Sequence, residues 1–145
     1  MEELKQQMKV LLANTFSLYL KAQYYHWNVT GPQFPMWHDF FGDFYGEVYG
    51  SIDSIAEEIR TLDAFAPGSL SRFKELGTIN DEERINLPPV EMVKQLLKDN
   101  DTVLENLKKC NKLAEDFGVI GLANFLQDRI DKHSKHKWML DVTQR

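Results

Sequence analysis

Four side chains in this sequence have the types and the spacing of a metal site: His26, His38, Asp53 and Glu57. Asp53 and Glu57 stand four residues apart, which on a helix sends two hard oxygen donors to the same side within reach of one cation. Two acidic residues at that spacing are ordinarily solvated surface, so their company on the helix decides their meaning. At about 100° per residue, a helix from about Pro35 to the neighbourhood of Leu62 separates three faces. Phe41, Phe44, Val48, Ile52, Ile55, Ile59 and Leu62 form the packed face, while Asp43, Glu47, Ser54 and Glu58 fall opposite, in solvent. Between them runs a stripe of His38, Gly42, Tyr45, Gly46, Tyr49, Gly50, Asp53 and Glu57.

Glycine inside a helix costs about 1 kcal/mol relative to alanine, so three of them on one stripe need an offsetting benefit, and the close approach of another helix supplies one. His38 precedes Asp53 by fifteen residues, about 22 Å along a straight helix, so the two cannot share an ion within one chain. Antiparallel twofold pairing of this helix with its copy lays the His38 end of one subunit over the Asp53 and Glu57 end of the other. His26 lies near the end of the preceding helix, in phase with Leu12, Thr15, Leu18, Tyr19 and Ala22, and a short link brings it towards His38. Two imidazoles and two carboxylates gathered by symmetry are a mixed N/O transition-metal set that iron, zinc and manganese all accept. No Glu-x-x-His occurs, so the intrachain di-iron centre common in four-helix bundles is not expected.

The elements that must position these residues follow from periodicity and punctuation. Apolar side chains repeat helically over residues 2–28, and Asn28-Val29-Thr30-Gly31-Pro32 breaks the run. After the second long helix, Ala66-Pro67-Gly68 intervenes, SLSRFKEL at 69–76 makes a short helical turn, and a polar connection runs to Pro89. A third long helix spans Pro89 to about Asp116 with Phe117-Gly118 as its cap, and a fourth spans Val119 to about Leu140. No alternating β-branched run exists. The expectation is an all-α four-helix bundle, one domain over 1–145, with a short extra helix in the long central crossover.

Composition narrows the function classes. With 145 residues and 43% hydrophobic content, the chain supports one core that buries roughly 70% of its unfolded surface. A net charge of −5 argues against a basic nucleic-acid or lipid-surface binder. The single cysteine, Cys110, cannot form an intrachain disulfide and reads as a small buried residue. No apolar stretch reaches the ~18 residues of a membrane span, and the N-terminal residues lack a signal pattern, so the expected location is cytoplasmic, or the bacterial nucleoid if DNA is bound.

At the candidate site the sequence resembles the Dps family, the miniferritins of starved bacteria. Tyr25-His26-Trp27-Asn28-Val29-x-Gly31-x-x-Phe34, then His38, then Asp53-x-x-Ala56-Glu57-x-x-Arg60 match the family signature, and His133-x-Lys135-x-x-Trp138-Met139-Leu140 resembles a second motif. The resemblance implies a ferritin-like fold, a ferroxidase centre of His26 and His38 from one subunit with Asp53 and Glu57 from its partner, and a hollow dodecamer storing ferric oxide. It also implies iron as the metal, with zinc or manganese as substitutes, and hydrogen peroxide as preferred oxidant. Three departures stand out. Gly42 replaces a family carboxylate, for which Asp39 is an auxiliary candidate and Asp43, rotated away, is not. Val119 and Asn124 stand where acidic pore residues are usual, leaving Asp128 and Asp131 as pore candidates. The first helix begins almost at Met1 without a Lys-rich arm, so DNA binding is expected to be weak or absent. The cluster Lys132, His133, Lys135, His136 and Lys137 can contact phosphate, although cations there also suit the helix macrodipole. The alternatives are a structural or sequestering shell with a weakened centre, and a DNA-compacting protein whose iron chemistry is secondary.

Overall fold

A computed structural model describes all 145 residues as five helices and no strands: α1 (Glu2–Asn28), α2 (Phe34–Thr61), α3 (Leu70–Leu76), α4 (Pro89–Asp116) and α5 (Ile120–Thr143). Each limit has a local cause. Glu2 and Glu3 favour the first turn of α1 through the helix dipole. Pro35 sits in the first turn of α2, where its missing N–H leaves no partner unsatisfied. Ser69 caps α3 by accepting from the Arg72 N–H at 3.2 Å. Behind α4, Gly118 takes φ +70°, and its N–H and that of Val119 reach back to the carbonyls of Glu115 and Ala114, the Schellman closure. The fourth long helix runs three residues past Leu140 because nothing in Asp141-Val142-Thr143 breaks it.

Contacts fix the directions. Tyr25 meets Phe41 while Tyr19 meets Tyr49, so α1 and α2 are antiparallel. Lys21 pairs with Asp99 while Asn14 bonds Asn106, so α4 also opposes α1 and runs parallel to α2. That is possible because residues 62–88 travel the length of the bundle. Asn100 with His133 and Asn111 with Gln127 make α5 antiparallel to α4. Leu11, Leu12, Leu18, Phe41, Val48, Ile55, Val93, Leu96, Val103, Leu107 and Leu126 fill one continuous core. Cys110 is fully buried in it, and burial pushes its thiol up to about 12.

Polar groups anchor the crossover. The Tyr25 hydroxyl donates to Glu82 at 2.7 Å and the Tyr24 hydroxyl to the Arg84 carbonyl at 2.6 Å. Arg84, and then Tyr25, hold the Glu82 carboxyl at about 2. Buried Asn14 accepts from the N–H groups of Thr78 and Ile79 and donates to Asn106, fixing the residues after α3 against the bundle.

Candidate metal centre

His26 ends α1 and His38 begins α2, and the turn between them closes so tightly that the two imidazoles stack, centroids 3.8 Å apart and planes 17° from parallel. Each ring is fixed by the other's backbone: His26 Nδ1 lies 2.6 Å from the His38 carbonyl oxygen and His38 Nδ1 lies 2.7 Å from the His26 carbonyl oxygen. A carbonyl only accepts, so both Nδ1 atoms carry the proton and both Nε2 lone pairs are free. Reciprocal backbone anchoring of this kind is what orients a ligating histidine and sets its tautomer. Because a lone pair lies in the plane of its ring, two nearly parallel stacked rings cannot aim at one ion. Phe34 stacks on His38 at 5.0 Å, and Tyr45 lies 5.2 Å from His26.

Asp53 and Glu57 are both exposed on α2, on the same stripe as exposed Gly46, Tyr49 and Gly50. The single chain contains no group of three or more His, Cys, Asp or Glu placed to hold a metal. His38, with His26 of α1 stacked on it, and the two carboxylates therefore sit at separate places along α2, as the fifteen residues between His38 and Asp53 require.

Gly42 has a close neighbour within its own chain. A Cβ there would lie 3.0 Å from His26 Cε1 and 3.1 Å from His26 Nδ1, whereas Gly46 and Gly50 face open space. The close neighbour that Gly42 admits within the chain is the His26 ring of α1. Asp39 and Asp43 are both exposed.

Glu47 corrects the solvent assignment. Its carboxylate takes a bidentate pair from Arg129 at 2.6 and 2.9 Å and a contact from His136 Nε2 at 2.8 Å. Burial alone would raise its pKa, but the hydrogen bonds from His136 and Arg129 prevail and hold it well below the usual carboxylate range. Arg129 continues to His133 Nε2 at 3.0 Å, and His133 Nδ1 reaches Asn100 Oδ1 at 2.8 Å. The basic cluster is thereby dispersed: His133 is 1% exposed, His136 faces Glu47, Lys135 pairs with Asp131 at 3.1 Å, and Lys137 pairs with Asp101 at 2.9 Å. Burial first, then the Arg129 charge, holds His133 at about 3, a neutral imidazole. The sequence did carry a signal: Arg129 and His133 fall in register with Leu122, Leu126 and Leu140, on the buried side of α5. Pore candidates Asp128 and Asp131 are exposed on the other side of the same helix.

The ferritin-like domain family matches residues 5–144 of this chain. The DNA protection during starvation protein 2 of Bacillus anthracis is 30% identical over 139 residues, covering 94% of each chain. The Dps protein of Vibrio cholerae O1, described as a member of a broad superfamily of ferritin-like diiron-carboxylate proteins, superposes with a TM-score of 0.93 at 27% identity over 99% of this chain and 90% of that one. The chain belongs to the Dps family. A low temperature-induced protein of Nostoc sp. is also similar to this Dps chain, 32% identical over 130 residues, 89% of this chain and 73% of the relative. No helix of the Dps chain is long and apolar enough to cross a membrane.

Proposed function

We propose that this Dps protein oxidises Fe(II), with hydrogen peroxide as preferred oxidant, at sites shared across a twofold interface, and stores the ferric product in a hollow homo-oligomer, expected to be a dodecamer. The observation that carries the reading is the histidine pair: two anchored imidazoles, both Nδ1 protons committed to carbonyls, both Nε2 atoms free. Iron is the substrate. His26 and His38 give each of two ions one nitrogen, and Asp53 and Glu57 of the partner give the oxygen donors that favour Fe(III) over Fe(II). Each Fe(II) yields one electron; the two electrons cleave the O–O bond of peroxide, giving two Fe(III) and two hydroxides. Removing Fe(II) and peroxide together takes away the reagents of hydroxyl-radical formation, a protective role in keeping with the name of the Bacillus anthracis relative, which speaks of DNA protection during starvation. Zinc or manganese are alternative occupants of the same N/O donor set.

The competing reading, DNA compaction, is disfavoured by the dispersed basic cluster and the net charge of −5. A gel shift at low and moderate salt tests it, and retention of DNA at both would reverse the ranking. The ferroxidase reading is tested by Fe(II) consumption with peroxide and with oxygen. Peroxide is expected to be the faster oxidant, and Glu57→Ala to remove most of the rate. Mixing His38→Ala and Glu57→Ala subunits before assembly should restore part of it. No recovery in verified mixed oligomers rules out a site built from two chains.

A further inference from the structure

Arg129 stands where three metal-binding side chains meet. Its Nη2 lies 2.9 Å from Glu47 Oε1 and 3.0 Å from His133 Nε2, and the same Glu47 oxygen lies 2.8 Å from His136 Nε2. His133 and His136 stand three residues apart on α5 with ring centroids 5.3 Å apart, and Glu47 reaches them from α2. Two imidazoles with a carboxylate from a second helix are a donor set that zinc and cobalt accept. His133 is buried and the other two are half-buried within the subunit, so the set needs no residue from a partner. The place among these donors is held by a guanidinium.

Asn100 fixes the tautomer of His133. Its Nδ2 donates to the His133 carbonyl at 2.9 Å, so its Oδ1 is the atom facing His133 Nδ1 at 2.8 Å, and that ring nitrogen carries the proton. The lone pair is then on Nε2 and turned on Arg129. This is how a ligating histidine is held, one nitrogen donating to an oxygen behind it and the other left for the cation. Packing does not account for the arginine. Its Nε is buried without a hydrogen-bond partner, and apolar side chains of similar volume often replace a buried ion pair without loss.

We propose that Glu47, His133 and His136 are a second metal donor set, contained within one subunit, and that Arg129 is its resident cation, closing it to metal. A guanidinium does not deprotonate in a protein, so the closure does not open with pH. With Arg129 in place, the chain holds no group of three donors ready for a metal, and its free imidazole nitrogens are those of His26 and His38. A divalent ion taking the place of the guanidinium would bind Glu47 and His133 as they stand, and His136 after its Nε2 proton passes to solvent. The masking stands on this geometry alone. Its consequence, that Fe(II) is kept out of the bundle interior and left for the interface, rests on the ferroxidase reading.

Co(II) is the probe, because its visible absorption reports nitrogen and oxygen ligation. His38→Ala and Glu57→Ala are combined to silence the interface, so no outcome depends on the ferroxidase reading. The assembled protein is dialysed against Co(II), bound metal per subunit and absorption are measured, and circular dichroism checks the fold. This parent is expected to hold far less than one Co(II) per subunit. Adding Arg129→Ala should bring binding to one Co(II) per subunit with new visible bands, and adding Glu47→Gln to that should weaken it by at least the roughly 10–100-fold that loss of even an outer-sphere partner brings. Arg129→Lys, which keeps a cation among the donors, should stay closed. With His38 and Glu57 restored, Arg129→Ala should bind one Co(II) more per subunit than wild type. A folded Arg129→Ala protein that gains no Co(II), or an Arg129→Lys protein that gains as much as Arg129→Ala, overturns the proposal. If Arg129→Ala loses its helices in metal-free buffer, Co(II) is expected to restore them, and a chain that stays unfolded with Co(II) overturns it too.

Discussion

The molecule contains two pairs of histidines, and their surroundings assign them opposite work. His26 and His38 spend only Nδ1 on the protein and keep Nε2 free. His133 spends both nitrogens, donating from Nδ1 to Asn100 and accepting at Nε2 from Arg129, while His136 commits Nε2 to Glu47. A buried imidazole with both nitrogens engaged has no lone pair for a metal; it is the hub of a polar network that ties α2, α4 and α5 together. Histidine on an inward helix face therefore identifies neither role. The partner of each ring nitrogen does.

Crossed substitutions should separate the two pairs. His38→Ala removes a free nitrogen and one acceptor carbonyl's partner, and should cut peroxide-dependent Fe(II) oxidation at least as far as the roughly 10–100-fold that loss of even an outer-sphere partner brings. Thermal stability of the subunit should change little. His133→Ala leaves Asn100 and Arg129 unpaired beside a cavity, and should lower stability by roughly 2–4 kcal/mol while sparing the oxidation rate of the folded fraction. Stopped-flow iron kinetics and denaturant unfolding on both variants check the pattern, and a His133→Ala protein that folds normally but fails to oxidise iron would merge the two pairs into one site.

The difference was only half legible in the sequence. Helix limits were, because Gly31-Pro32, Pro67-Gly68, Pro88-Pro89 and Gly118 interrupt the apolar periods at the observed boundaries. His26 and His38 were also legible as neighbours, since only a short link separates their helices. Glu47 was not. A helical wheel places it opposite the core of its own helix, and its burial comes from Arg129, a long side chain on α5 that reaches across to it. Gly42 shows the same limit from the other side: the wheel located the glycine stripe correctly, yet the group filling the space over Gly42 depends on how the α1–α2 turn closes.

Acidification should act on the two pairs unequally. His133 sits at about 3 in the folded protein against an ordinary 6.5, so the unfolded chain binds the extra proton between those values. Its contribution to stability is complete above pH 6.5 and is lost as pH falls from there towards 3, at a slope of up to about 1.4 kcal/mol per pH unit. Glu47 has the same sign but acts lower: its depressed carboxyl stabilises the fold above the ordinary carboxylate value of 4.5 and loses that contribution as pH drops through it. The polar groups facing His133 are Arg129, His136 and Glu47, and the one carboxylate among them is already claimed by Arg129. Urea unfolding between pH 7 and 5 should show the loss in wild type and a flatter profile in His133→Gln. Equal profiles would place the acid sensitivity elsewhere.

The smallest expected effect belongs to Gly42, and it is the one that tests whether the carboxylate that the family resemblance implies at this position would serve the proposed centre. Gly42→Ala raises helix propensity by up to about 1 kcal/mol, but its Cβ would stand 3.0 Å from His26 Cε1. The ring must give way by a few tenths of an ångström. Its freedom to do so is small, because the stack on His38 and the 2.6 Å bond to the His38 carbonyl both resist. A subunit of equal or slightly greater stability with several-fold weaker iron binding is the expected result. Gly42→Asp carries the same Cβ, and so the same displacement of His26, but adds an oxygen donor four residues after His38. The difference between Asp and Ala at this position therefore isolates the carboxylate from the crowding. Iron titration with oligomer mass followed in parallel should find tighter binding of the second ion in Gly42→Asp than in Gly42→Ala. If the two variants bind it equally, position 42 is a space reserved for the His26 ring and not a vacant ligand site.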